Sequence, residues 1–218
     1  MATVSEGPTS RTTVKRHPER GAYDRDTIHQ ILDEALYCHV ATVVDGSPRI
    51  IPTIHARAGD TLYIHGSTAS RTLRALREGA EVCVSVTLLD GLVLARSAFN
   101  HSMNYRSVVV YGTAREVTDP DEKWDAQRAL VEHVVPGRAE QVRMPDEQEL
   151  KQTSIFAVSL SEASAKVRTG PPKDREDDYE LPVWAGELPF RLQPEGPVPD
   201  PQLYAGAQPP PNITGYRR

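Results

Sequence analysis

Apolar residues recur along the chain with two different periods. Ile28, Ile31, Leu32, Ala35 and Leu36 fall on one face of a predicted helix, which Asp24 or Asp26 can cap. From Tyr37 the spacing shortens to that of strands. "YCHVATVV" and "RIIPTIHA" are separated by the turn "DGSP", and "GD" leads into "TLYIH". A short helical period follows, with Leu73 and Leu76 and either Ala69 or Thr72 on its buried face, and Gly79 ends it. In "EVCVSVTLL", Val82, Val84, Val86 and Leu88 share a face; "DG" predicts a turn and "LVLA" a returning strand. The connection "RSAFNHSMN" precedes the strand "YRSVVVYGTAREV". Thr118 and Pro120 start a helix through Trp124, Leu130 and Val131, and "SIFAVSL" supplies the last strand.

Six or so strands joined by tight turns, with few helices between them, predict a mostly-β fold: a six-stranded antiparallel barrel with peripheral helices. A doubly wound sheet needs a helix after nearly every strand, and most are missing. Pro52 refines this picture. Proline cannot donate into a ladder, so "IIPTI" marks either a simple edge strand or a gap in the barrel wall. Such a gap leaves the backbone of Pro52 and Thr53 free to face a ligand.

Composition sets the boundaries. Eleven of the eighteen prolines follow Gly170, where no regular core can form. The expected organisation is an N-terminal arm over 1–20, a barrel domain over 21–168, a patch over 169–193 that docks on the barrel, and a flexible proline-rich tail over 194–218. Docking of the patch follows from Trp184 and Phe190 in "ELPVWAGELPF", which are costly to leave in water. The 25 basic and 30 acidic residues give a net charge of −5, with no basic block, which argues against nucleic-acid or membrane-surface partners. Without an apolar run of membrane-spanning length or a secretory leader pattern, a cytoplasmic location is expected. Cys38 and Cys83 sit in strand-like runs without metal or redox spacing and read as inert.

Chemistry concentrates at two places. In "HGSTASRTLRALREG" a strand ending at His65 and Gly66 meets a helix whose expected N-cap is Ser67 or Thr68. The first-turn N–H groups, the hydroxyls of Ser67 and Ser70 and the fork of Arg71 together suit a phosphate, and Gly66 permits close approach. The Walker pattern GxxxxGK[ST] and the dinucleotide pattern GxGxxG are both absent. In "HSMNYRSVVVYG", Asn104, Tyr105, Arg106 and Ser107 crowd the mouth of an apolar strand; Arg106 is expected to complete a phosphate clamp with Arg71. The same residues also read as an ordinary cap and a polar connection. His39, His55, His65 and His101 lie in the barrel region, with His65 and His101 the nearest candidates for proton donation. No HExxH, Cys/His or GxSxG pattern points to a metal or a serine nucleophile.

The run from "YCHVATVV" through "YIHGSTASRTL" to "NYRSVVVYG" resembles the pyridoxamine 5′-phosphate oxidase-related, FMN-binding split-barrel family. The branch containing nitroimidazole-resistance-type proteins is the most similar, and "LPVWAGELP" resembles its C-terminal patch. The resemblance implies a homodimer with FMN at the subunit interface. It puts the phosphate near Ser67, Ser70 and Arg71, the flavin ring against Pro52 and Thr53, further contacts at Tyr105, Arg106 and Ser107, and Trp184 as a cover. It implies an oxidoreductase acting on a small organic molecule, with NAD(P)H as a transient donor. "WAGELPFRL" departs from the spacing of true pyridoxamine-phosphate oxidases, so that substrate is not expected. The alternatives are a non-catalytic flavin carrier or redox sensor, and a relative that binds haem or a deazaflavin. For haem, His39, His65 and His101 are the candidate axial ligands.

Overall fold

The computed structural model describes residues 7–204 and 206–217. Its strands are β1 (Gly21–Ala22), β2 (Tyr37–Val44), β3 (Ser47–Ala58), β4 (Thr61–Ser67), β5 (Glu81–Leu94), β6 (Ser102–Thr113), β7 (Arg115–Glu116), β8 (Thr153–Ser159), β9 (Ala163–Arg168) and β10 (Gly186–Pro189). Helices are α1 (Arg25–Glu34), α2 (Arg71–Arg77), α3 (Pro120–Val134), α4 (Glu147–Gln152) and α5 (Pro211–Thr214). Every ladder is antiparallel, in the order β1-β9-β6-β5-β2-β3-β4-β8-β7.

Closure follows from one continuous segment. β6 runs through the buried Ala114 into β7, and β7 pairs with β8 at the far end of the order. The path β6/β7, β5, β2, β3, β4, β8 is therefore the expected six-stranded barrel, with β9 and β1 added beyond β6. Its interior is filled by the inward half of each alternation: Cys38, Val40, Leu62, Ile64, Val84, Val86, Val108, Val110, Phe156 and Val158. Each such aliphatic burial contributes about 1.5–3 kcal/mol. Helix α1 adds Ile28, Ile31 and Leu32 to the same cluster, and Asp24 caps it by accepting from Thr27 N at 2.8 Å. At Asp45–Gly46 both residues take positive φ, 51° and 74°, as a two-residue hairpin turn between right-twisted strands requires.

Several expectations change. The "DG" at Asp90–Gly91 is no hairpin turn: β5 runs straight through it, and the register to β6 shifts between Leu89 and Gly91. The irregularity makes room for β10, which pairs with the second half of β5. A Cβ on Gly91 would lie 2.7 Å from Leu188 O, so only glycine admits the crossing strand here. The C-cap of α2 is followed by Gly79 at φ +88°, as expected, but its N-cap is Ser70 rather than Ser67 or Thr68. Asp119, rather than Thr118, caps α3. The tail expected to be flexible is anchored at its end. Tyr216 OH donates to Val134 O at 2.9 Å, Asn212 Nδ2 to Pro136 O at 3.0 Å, and Gln141 Nε2 to Asn212 Oδ1 at 3.0 Å. Of the expected N-terminal arm, residues 1–6 lie outside the described part; Arg11 binds Glu81 and Glu162 and stacks over Tyr111. No helix among the described residues is long and apolar enough to cross a membrane.

Candidate functional site

The barrel wall opens where β3 changes partner. Residues 47–54 of β3 pair with β2, whereas His55–Ala58 pair with β4. The last residues of β4, His65 to Ser67, turn instead to β8, opposite Ile155 to Thr153. A seam therefore separates the first half of β3 from the end of β4. At its apex Thr53 Oγ1 donates to His65 O at 3.2 Å. Alternation along β3 puts Arg49, Ile51 and Thr53 on one face, and Ile51 packs on the core.

The other lip is the strand-to-helix junction. Ser67 Oγ accepts from Ala69 N at 3.2 Å, and Ser70 Oγ accepts from Leu73 N at 3.4 Å, so both hydroxyls hold the junction in shape. Gly66 has a packing reason rather than a ligand-driven one: a Cβ there would meet Leu73 Cδ1 at 2.9 Å. Beside the junction, His65, Ser67 and Thr68 face Glu149, Gln152 and Thr153 across a polar hollow of about 560 Å³.

Three cations of β3 and α2 lack partners among the described residues. Elsewhere arginine after arginine sits against a carboxylate: Arg11, Arg57, Arg77, Arg96, Arg106, Arg115, Arg128 and Arg143. Arg49, Arg71 and Arg74 make no ion pair or side-chain hydrogen bond among the described residues, and Arg49 Nε is buried without a partner. His65 Nδ1 is likewise buried and unsatisfied. Burial pulls the His65 pKa below its ordinary value, opposed by the Ile54 backbone, and so favours the neutral ring. Orphaned donors beside hydroxyls and uncompensated guanidiniums fit the phosphate of a cofactor. Arg49 escaped the sequence reading, although its alternation with Thr53 on one strand was a usable signal.

The second expected cluster is elsewhere and differently used. Arg106 does not clamp anything with Arg71. Its guanidinium donates to both oxygens of Glu34 and to both of Asp90, at 2.7 and 2.9 Å for the latter, and these bonds raise its pKa, Glu34 first. Asn104 is buried and spent within the protein: Arg168 donates to its Oδ1, and its Nδ2 donates to Glu187 of β10. Tyr105 and Ser107 lie opposite Leu89 and Thr87 on the outward face of β6 and β5. Pro52 stands opposite His39 on the outward face of β3 and β2. Trp184 is 69% exposed, and its ring lies against Gly186. Cys38 is buried, with its pKa pushed up to about 12 by desolvation, which keeps the thiol protonated.

The outward face itself stands out. Tyr37, His39, Ala41 and Val43 of β2 oppose Ile54, Pro52, Ile50 and Pro48 of β3, and Ile50 remains 67% exposed. An antiparallel sheet commonly shows water a polar face; this one does not.

A six-stranded antiparallel barrel opened along one seam, with a cationic junction on its lip, defines the split β-barrel class. The chain belongs to the pyridoxamine 5′-phosphate oxidase family, whose model matches residues 24–167. No curated protein matches it. Among solved structures it is similar to the flavocytochrome Anf3 from Azotobacter vinelandii, at 42% identity and a TM-score of 0.91, covering 97% of this chain and 99% of that one. It is also similar to the FAD- and haem-binding protein from Mycobacterium smegmatis, at 38% identity and a TM-score of 0.86, covering 90% and 96%. A putative 5-nitroimidazole antibiotic resistance protein from Bacteroides thetaiotaomicron shares the fold, at 22% identity, a TM-score of 0.58 and coverage of 67% and 86%.

Proposed function

We propose that this chain is a redox protein that binds a flavin at the seam and carries haem as a second prosthetic group. The observation that carries the reading is the near-complete alignment, at 42% identity, with a flavocytochrome. The relative at 38% identity binds FAD, so FAD, rather than the FMN expected from sequence, is the form proposed. The pyrophosphate of FAD carries two negative charges, and Arg49, Arg71 and Arg74, unpaired among the described residues, suit it better than a single cation would.

Each residue then has a physical task. Arg71 and Arg49 grip phosphate oxygens, Ser67 and Ser70 keep the junction shaped, and Thr53 ties the two lips together at the apex. The bound flavin supplies the electron and hydride chemistry. Burial of His65 favours its neutral ring, which suits it to exchange a proton with a ligand at the seam. Arg106 holds the end of α1 to β5 and leaves the flavin alone.

We also propose a homodimer. The outward face of β2 and β3 is large, apolar and uncovered, and a second copy is the occupant a closed two-fold interface supplies. Pro52 lies on that outward face, and Tyr105 and Ser107 lie on the outward face of β6 and β5, whereas Arg71 belongs to the junction after β4. A second copy would let the two sets address one cofactor. An oxidoreductase acting on a small organic molecule with NAD(P)H as donor is the second reading, favoured by the family.

Purification of the full chain and an absorption spectrum test the reading. A flavin double band together with a Soret band is expected, and acid extraction should release FAD. A preparation that takes up neither flavin nor haem on incubation refutes it. Light scattering should return the mass of two chains, and Ile50→Asp should return one.

A further inference from the structure

We propose that the second copy is held by more than β2 and β3: a three-stranded arm, built from the far halves of β5 and β6 and from β10, seats its outward side on the partner. The inference rests on the homodimer proposed above.

Area poses the problem. Strands rise about 3.4 Å per residue and lie about 4.8 Å apart, so the eight-residue face of β2 with β3 has a footprint of roughly 270 Å². A stable interface covers roughly 800 Å² on each partner. A dimer seated on β2 and β3 therefore needs more surface, and the sheet shows where it continues. Cys83, Ser85 and Thr87 of β5 and Ser107, Val109 and Tyr111 of β6 carry the outward side onward without a formal charge. The nearest acid in line, Glu81 at the start of β5, is ion-paired to Arg11.

β2 pairs with β5 only as far as Ser85, and the chain after β10 meets β5 where Phe190 N donates to Asp90 O at 2.9 Å. The gap between them opens into a cavity of about 1230 Å³ beneath the tail, bordered by Tyr37, Leu89 and Tyr216. β5 and β6 alone carry the face past this gap to the arm, which comprises 91–94, 102–104 and β10. There Leu92 stands between Leu188 and Met103 in one row across three strands, and the two flanking side chains remain 48% and 42% exposed. The Trp184 ring occupies the space that a Cβ on Gly186 would take, on this same side. Phe99, in the one-turn helix Ala98–Asn100 at the tip, is 94% exposed.

The opposite side of the arm is fastened. Val93 is fully buried, Asn104 donates to Glu187 and accepts from Arg168, and Arg96 just beyond β5 pairs with Asp174. An arm held rigid on one side and apolar on the other is preorganised for a partner, and Trp is among the residue types that anchor interfaces. Continuity with the β2–β3 face makes a second copy the occupant, because a two-fold axis lets each arm reach the other chain. With β5, β6 and the arm included, the footprint rises to roughly 700 Å², close to the standard size.

Sedimentation velocity over a dilution series of the full chain measures the dimer constant, with circular dichroism and the urea midpoint as checks on folding. Met103→Glu and Leu188→Asp should each weaken the dimer about tenfold or more, and so should Phe99→Ser combined with Trp184→Ala. Met103→Glu lies on β6 and keeps the test valid where Leu188→Asp unseats β10. Amide exchange over 91–94 and 186–189 should be slower in the wild-type dimer than in an Ile50→Asp monomer. If Ile50→Asp dissociates the dimer while Met103→Glu and the Phe99, Trp184 double variant leave its constant unchanged, the homodimer stands and the arm's part in it is overturned. A wild-type chain that stays monomeric at high concentration overturns both.

Discussion

Arg71 and Arg106 lie on one barrel, come from sequence stretches that look equally suited to phosphate, and end with opposite fates. Arg106 is half-buried among Glu34 and Asp90, so its charge is more than cancelled where it sits. Arg71 opens α2 directly after the junction and, like Arg49 and Arg74, has no carboxylate partner among the described residues. A guanidinium already forked onto two carboxylates has no donors left for a ligand, and an incoming anion would meet a net negative cluster. Availability, rather than residue type, separates an anion site from a structural tie.

The comparison breaks most readily through affinity against stability. Replacing Arg71 by Ala should weaken flavin binding by about 1.5–3 kcal/mol and leave the urea midpoint nearly unchanged. Fluorescence titration of the apoprotein measures this, and equal affinity for both proteins removes Arg71 from the site. Arg106→Ala should do the reverse. It strands two partly exposed carboxylates, a loss of about 2 kcal/mol in folding stability once solvent screening is allowed for, with flavin affinity altered less than about twofold. A large drop in flavin affinity at full stability would return Arg106 to the cofactor.

A third substitution tests the neighbouring patch. Gly91→Ala pushes a Cβ against Leu188 O, so β10 should detach at a cost of about 1–3 kcal/mol, visible as faster amide exchange over Gly186–Pro189. Unchanged protection there would mean that β10 is not seated by this contact. The smallest effect concerns pH. Because the folded His65 pKa lies below its unfolded value, its share of stability is complete above about pH 6.5. That share should be lost as pH falls from there through the folded pKa. His65→Gln should flatten that part of the urea-midpoint profile between pH 7.5 and 5, and parallel profiles would contradict the assignment.

Much of the barrel was legible because alternation is a local property. Val82, Val84 and Val86 point inward in the structure as their spacing predicts, and Pro52 does mark the strand that borders the gap. The Asp90–Gly91 pair was misread because a turn signal and a bulge signal look alike until a crossing strand is known to be there. β9 escaped because "ASAKVR" is short and partly polar, and it becomes a strand only by pairing with β6. At the site, Thr53 meets the His65 carbonyl across the seam, while Asn104 and Arg106 turn out to be committed to Arg168, Glu187, Glu34 and Asp90.

By itself the sequence determined the strand alternation, most of the turns and the kind of junction that ends β4, since each depends on residues within a few positions of one another. Only the tertiary structure decided which cations stay uncompensated, which face of the sheet remains apolar and open, and that the tail returns to close a cavity. Those outcomes depend on carboxylates and carbonyls dozens of residues away, whose approach is fixed by the closing of the barrel and carries no local trace in the chain.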